Sequence, residues 1–578
     1  MKKKILVLLC LLAVSTYSLY AQEFGFLGLF GKGKSMKLNG GINTSFLYNH
    51  SSDPDSRRDP FTMVLGGNIN IFYKGVNIPM SFTYSNAKLS GSLPPLPFNT
   101  LSFHPTYKWV TAHIGTSSLT FSPYTLNGHQ FDGGGLELTP GKLKLKMMYG
   151  RLLRGTGDYE LNMEAPPSYK RMGKGIAAEY EYKGVLLGVS AFHAKDDSNS
   201  AYHIPYELGV APKENFSASV NTAFTVTPGL KITAEYASNY LTQDVSSKAF
   251  AKTGDPLLSR LIRKNGTTGI QHAGNAKATY TFGLSEAGLE YERVDPNYQS
   301  LGAYYNQNGF ENMLARYSTS LFKNKLFISP AIGLQKDLTD SVASQQSRRL
   351  LTALNATYSP IEKLTMTGSF SNTNSVTNYR NLDNIATGNN LIPYYLDSLK
   401  LVQLNMNASF DATYLVKATK EMTQSLTGSY SLQRGTKKQG DYFVDEEANN
   451  YHNGSLMFST NYPKTTVIWM AGINYTLATM GTETRTTAYG PNFSFGKKFM
   501  KKKLGTMLGA SYNTTKTNTI RTYASVMNTR ANLSYTYKER NEFKFSGIWQ
   551  LKNSGSHITG ISKHGSELLF SLNYNYNF

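Results

Sequence analysis

The chain has 578 residues, 59 Lys and Arg against 38 Asp and Glu, and a single cysteine. One thiol permits no intramolecular disulfide and no cysteine metal site, and no run approaches the ~18 consecutive apolar residues that a membrane-crossing helix needs. The net charge of +21 would suit nucleic acid, but the export signal at the start of the chain points to lipid phosphate or an acidic partner instead, with no nucleic acid.

Lys2, Lys3 and Lys4 precede the apolar run 5–14, and Tyr20-Ala21-Gln22 follows, which reads as a secretory signal peptide over residues 1–21. Cys10 lies inside it, preceded by Leu-Val-Leu-Leu rather than by the small residues of a lipoprotein signal. Residues 22–34 are rich in Gly and Phe, too flexible for a stable helix and too apolar to stand free in water. They are expected to pack on a surface through Phe24, Phe26, Leu27, Leu29 and Phe30.

From residue 35 to 578 no linker or composition shift divides the chain, so one domain is expected. Runs with apolar residues at every second position recur through it: Met63, Leu65, Ile69, Ile71 and Tyr73; Ile176, Ala178, Tyr180 and Tyr182; Val402 to Tyr414; Val467 to Leu477. Side chains alternate faces along a strand, so each run has one apolar and one polar face. Tight turns such as Tyr73-Lys74-Gly75, Thr139-Pro140-Gly141-Lys142, Tyr182-Lys183-Gly184 and Lys538-Glu539-Arg540-Asn541 alternate with longer polar loops near 50–60, 88–97, 155–171, 197–212, 245–266, 296–309, 376–398 and 436–449.

Short turns at one end and long loops at the other describe an outer-membrane barrel, with the turns periplasmic and the loops external. The expected fold is all-β, a single closed antiparallel transmembrane barrel of about 26 strands (24–28). The alternation is weaker near 98–135 and 545–553. Closure is preferred to an open sheet because each unpaired backbone group in hydrocarbon costs several kcal/mol, and a propeller or tandem sandwich is disfavoured because no blade-length repeat is visible and the aromatics gather at strand ends.

Positions read as facing the lumen carry Glu179, Glu181, Glu235, Glu290, Glu292, Arg349, Asp411 and Arg530. Such a set is what a wet, partly salt-bridged wall would show, and a charged strip that selects a solute is the sharper reading. The ten histidines are scattered, and no zinc-protease, nucleophile-elbow or phosphate-loop motif occurs, so no enzyme, cofactor or metal is expected. Lysines gather at the tight turns, most densely in Lys497, Lys498, Lys501, Lys502 and Lys503. They suit snorkelling to lipid phosphate or, at this turn, docking of a periplasmic or outer-membrane partner protein. Asp255-Pro256 reads as a helix start within a long loop.

The last strand, SELLFSLNYNYNF, points Tyr574, Tyr576 and Phe578 to its apolar face. It resembles the C-terminal signal by which the barrel-assembly machinery recognises outer-membrane barrels. Residues 121–151 (FSPYTLNGHQFDGGGLELTPGKLKLKMMYGR) and 292–305 (ERVDPNYQSLGAYY) resemble large outer-membrane barrel proteins of Bacteroidota. That resemblance implies fold and a cell outer-membrane location and carries no catalytic residues. A TonB-dependent transporter would need a plug domain before its first strand, and barely fifteen residues stand there. The expected function is therefore a transport or secretion pore, or alternatively a structural subunit of a larger outer-membrane assembly, with the lumen closed by folded-in loops, by segment 22–34, or by another protein.

Overall fold

The computed structural model describes residues 36–52, 60–86, 99–158, 160, 167–205, 208–248, 264–303, 307–338, 345–379, 399–439, 442–519, 521–556, 558, 560 and 562–578. The signal peptide, segment 22–34 and the helix start at Asp255 lie outside these residues.

Alternating sequence makes strands, and strands with one apolar face bury their backbone groups only by pairing on both sides. The chain does this by closing on itself. The last strand, Ser562–Asn577, pairs antiparallel with the first, Met36–Ser51, from Gly41↔Asn577 to Ser51↔Glu567. Each strand between them pairs antiparallel with its neighbours along the barrel. Of the 27 hydrogen-bonded segments in this sheet, Thr100–Phe103 and Thr106–Tyr107 are two halves of one strand, since both pair with Val76–Ser85 and with Val110–Thr120, leaving the expected 26. The break falls at Pro105, which has no N–H to donate to a ladder, and it is one reason the alternation near 98–135 reads weakly.

One end of the barrel is closed by connections such as 74–75, 108–109, 183–184 and 500–503, and these hold most of the left-handed residues, Lys74, Lys108, Lys183, Met500, Lys501 and Lys502 among them. The other end carries the connections 198–213, 243–267 and 295–309. The expected succession of long and short connections lapses late in the chain. Strands Thr423–Gln439 and Tyr442–Tyr462 run through the expected loop 436–449, with Lys437↔Val444 and Gln439↔Tyr442 still paired beyond a bulge at Gly435. Its backbone pairing lengthens the ladder through a stretch whose sequence shows no apolar alternation. Residues 481–483 and 518–521 are likewise short at this end. Conversely, the six-residue connection 121–126 was not among the expected loops.

Exposed Ile176, Tyr180, Tyr182, Leu187, Val189, Leu289, Ile473 and Tyr475 lie on one face of the sheet. The opposite face of the same strands carries Glu179, Glu181, Ser190, Glu290 and Asn474. Connecting segments fold against this polar face, which makes it the inside. Among the described residues, no helix is long and apolar enough to cross a membrane.

Buried apolar side chains concentrate on this inner face between residues 119 and 310, in two clusters. One joins Leu119, Leu126, Phe131, Met148, Leu152, Phe192, Ala194, Leu241 and Leu301; the other joins Tyr124, Ala237, Ala273, Val294, Tyr298 and Phe310. Both include residues of connections, so the core is where connections turn inward.

Candidate functional site

Two segments from the long-loop end make this inward fold. The first, residues 121–126, links Val110–Thr120 to Asn127–Leu138; the second, residues 295–309, links Ser285–Val294 to Phe310–Leu321. Asp295-Pro296-Asn297-Tyr298 is a tight turn. Proline presets the second position, Asn297 takes φ 62° at the third, and the Tyr298 N–H donates to the Asp295 carbonyl at 3.2 Å.

The turn aims the chain into the barrel, where the segments bind each other. The Tyr298 hydroxyl donates to the Tyr124 carbonyl (2.7 Å), Ser300 Oγ to the Thr125 carbonyl (2.5 Å), and the Asn127 N–H to the Gly302 carbonyl (3.0 Å). Gly302 has no room for a side chain, because a Cβ there would lie 2.7 Å from the Phe192 ring and 2.9 Å from the Thr125 oxygen.

The polar inner face satisfies the rest. The Tyr124 hydroxyl donates to Glu292 Oε1 (2.8 Å) and accepts from Asn275 Nδ2 (2.9 Å). Asn215 Oδ1 accepts from the Leu301 N–H (3.1 Å), and Asn215 Nδ2 donates to Asn239 Oδ1 (2.6 Å). Asn239 Nδ2 in turn donates to the Gln299 carbonyl (3.2 Å). Thr125, Ser190 and Ser219 form a hydroxyl chain with steps of 3.0 and 2.9 Å. Burial raises both tyrosine hydroxyls above their ordinary pKa, with Glu292 adding to it at Tyr124 and Glu235 at Tyr298, so both remain donors at neutral pH. A buried network whose members are nearly all partnered fixes one arrangement of the segments.

The expected lumen residues all occupy the inner face, but the structure separates them. Glu292 binds the inward segment. Glu235 lies beside Ser122 and Ser219, with its Oε1 buried and without a hydrogen-bond partner. Glu290 pairs with Arg316 at 3.4 Å and Arg349 with Asp337 at 3.1 Å. Glu179 stands opposite Lys144 in register, and Glu181 follows it on the same strand. Asp411 and Arg530 stand apart on the other side of the barrel, with no ion pair among the described residues.

Around Asp411 and Arg530 the inner face is mainly hydroxyls and amides, with Glu542, Lys544, Lys552, Lys563 and Glu567 on the last two strands. Cross-strand bonds join Ser369 to Ser409 (2.7 Å), Ser425 to Ser459 (2.7 Å), Ser429 to Ser455 (2.5 Å), Thr476 to Asn453 (2.9 Å), Gln550 to Asn528 (2.8 Å) and Ser546 to Ser571 (2.6 Å). No inward-folded connection covers them among the described residues.

At the short-turn end, Lys74, Lys108, Lys142, Lys183 and Lys538 each sit over a tyrosine ring at 5.1–5.3 Å. Lys497 sits over the Phe499 ring at 5.2 Å, while Lys498, Lys501, Lys502 and Lys503 are exposed in and beside the 500–503 turn. At the C-terminal end, Tyr574 stacks on Phe543 with centroids 4.8 Å apart and donates to Asn541 Oδ1 (2.8 Å), Tyr576 packs near Phe578 (5.8 Å), and the Phe578 backbone exchanges hydrogen bonds with Gly40 (3.0 and 3.2 Å). The one group of three metal-type ligands among the described residues is Asp158, Glu160 and His203, at the long-loop end. There His203 Nδ1 and Asp158 Oδ1 share a hydrogen bond of 3.0 Å, which by itself explains their approach.

Tyr124, Tyr298, Asn215, Asn239 and Phe192 were not expected site residues. Their signal was the loss of alternation: Val185–Asp197 reads VLLGVSAFHAKDD, apolar on both faces, which means that the inner face is also covered.

No family model matches the chain, and no curated protein matches it. Among solved structures, it is similar to the P pilus usher (PapC) translocation pore, with 9% identity over 94% of this chain and 99% of that one and a TM-score of 0.33. It is also similar to OccK5 (OpdH) of Pseudomonas aeruginosa (10% identity, 71% and 99% covered, TM-score 0.31) and to OccAB1 of Acinetobacter baumannii (13%, 60% and 92%, TM-score 0.34).

Proposed function

We propose that the protein is an outer-membrane pore that passes polar, predominantly uncharged cargo along the Ser/Thr/Asn wall of its lumen. The observation that carries this reading is the contrast on the inner face. Among the described residues, one side is filled by segments 121–126 and 295–303, and the other presents mainly hydroxyls and amides, interspersed with charges such as Asp411, Arg530 and the Lys544–Glu542 pair. Hydroxyl and amide groups exchange hydrogen bonds with a passing solute without holding it by charge, as conduction requires. The exposed apolar and aromatic outer face supports a bilayer setting, with the short turns periplasmic and the long loops external. The stretches 121–151 and 292–305, which resemble Bacteroidota barrels, each include one of the inward-folded segments together with barrel strand.

Reconstitution in planar bilayers tests the pore. The expected result is single-channel conductance with weak ion selectivity, and passage of neutral oligosaccharides in liposome swelling. Arg530→Gln should shift the reversal potential more than Glu290→Gln, because Arg316 already neutralises Glu290. A folded barrel with no conductance would overturn the reading and favour a structural subunit.

A further inference from the structure

The outer face is apolar and aromatic over most strands, but at the long-loop end of three neighbouring strands, Leu143–Leu153, Lys170–Tyr182 and Val185–Asp197, it is cationic. Lys174 shares its face with Ile176 and Tyr180, and stands in register between Tyr149 and His193. One step nearer the long-loop end, Met172 stands between Arg151 and Lys195. Lys170 and Arg154 lie beyond them. Diagonal neighbours on a sheet are ~7 Å apart, so one phosphate between these strands meets several of these cations.

Three carboxylates face the group. Asp132 is engaged by Arg151 (2.7 Å) and Arg154 (3.7 Å), and Glu214 by His193 (3.1 Å) and Lys195 (3.4 Å). Asp197, opposite Lys170 in register, accepts from the Asn199 N–H at 3.1 Å. Lys170 and Lys174 are exposed and form no ion pair among the described residues. Unlike Lys74, Lys108, Lys142, Lys183, Lys497 and Lys538 at the short-turn end, Lys174 lies over no ring among the described residues. Beside it, Tyr149 is 63% exposed, and Ile176 and Val189 continue the apolar surface below. Cations directly above an apolar belt match an amphiphile whose anionic group sits at the head of its chains.

We infer that this patch binds the phosphate of a phosphorylated glycolipid in the leaflet at the long-loop end, with Lys170 and Lys174 as free cations, Arg151 and Lys195 beside them, and Tyr149, Ile176 and Val189 against its acyl chains. The inference rests on the outer-membrane reading proposed above.

Native mass spectrometry of the full-length protein in detergent, titrated with diphosphoryl lipid A, tests it. The expected result is a saturable adduct that Lys170→Gln/Lys174→Gln weakens by roughly 5-fold per lysine, that Lys174→Arg retains, and that dephosphorylated lipid A does not form. Arg485→Gln/Lys516→Gln, on the far side of the barrel, should leave it unchanged. Equal binding of the phosphorylated and dephosphorylated lipids, indifference to the double variant, or equal competition by phosphatidylglycerol would each overturn the assignment. Failure of the outer-membrane reading is seen separately, as recovery of the chain in the soluble fraction without detergent; failure of the lipid site leaves membrane recovery intact.

Discussion

The two sides of the lumen use the same secondary structure for opposite ends. Between residues 119 and 310 the inner face is packed like a protein interior, with Phe131, Phe192 and Leu241 almost fully buried beneath two inward segments and Leu126 of the first segment buried against them. From residue 364 to the last strand it is mainly a ladder of Ser, Thr and Asn with charges such as Asp411, Arg530, Lys544 and Lys552, and Ala448 and Ala478 are the only buried apolar side chains of this region among the described residues. A barrel of this circumference has more interior than its strands can fill, and among the described residues the filling is built on one wall. Stability and passage are thereby separated: the filled wall carries the long-range packing, and the open wall carries the surface that a solute would meet.

The sharpest test of that division is stability. Phe192→Ala on the filled side should cost about 3–5 kcal/mol, from lost transfer energy and a cavity that two rigid segments cannot collapse into. Ser429→Ala on the open side breaks one half-buried hydroxyl pair and should cost ~1 kcal/mol. Denaturant unfolding in detergent, followed by heat-modifiable gel mobility, reads both; equal costs would mean that the filled wall is not a core.

A smaller effect is expected from crowding the latch. Gly302→Val forces a side chain into the Phe192 ring and the Thr125 carbonyl. Because that carbonyl already accepts Ser300 Oγ, the segment rather than the strand must move, at ~1–3 kcal/mol. The expected readout is higher single-channel conductance and faster proteolysis at 295–303, with the barrel still folded. An unchanged conductance would show that these segments do not limit the pore.

The smallest effect lies above the filled wall, where the two-residue strands Gly157–Asp158 and Ala201–Tyr202 pair. Asp158 raises the His203 pKa, by hydrogen bond first and by charge second. A raised folded-state value stabilises the pairing below the ordinary histidine pKa, and that contribution is lost as pH rises through the raised one. Hydrogen exchange at Ala201 and Tyr202 should therefore quicken, beyond its intrinsic rate, as pH climbs through this range, and His203→Ala should abolish that dependence. A pH-independent protection would remove the role of the pair.

Strand count, closure and the two unlike ends were legible in the sequence, because each is a local matter. A period of two assigns faces, a Lys-Gly or Pro-Gly pair makes a turn, and a sheet with apolar outer residues must leave no edge. The errors fall where the local rule loses its physical basis. The expected loop 436–449 became strand because polar residues extend a paired ladder as readily as they make a loop, and the hexapeptide 121–126 was missing from the expected loops because its apolar residues suit a covered surface as well as a pleated one. What the sequence left open is which surface would cover it. Tyr124 meets Glu292 across 168 residues, and Ser300 meets Thr125 across 175. Such contacts arise only when closure brings distant strands around one lumen. By itself, then, the order of residues determined that there would be a barrel and which face of each strand would be wet; only the closed structure decided which side of that lumen would be filled, because filling depends on distances between strands that no local pattern encodes.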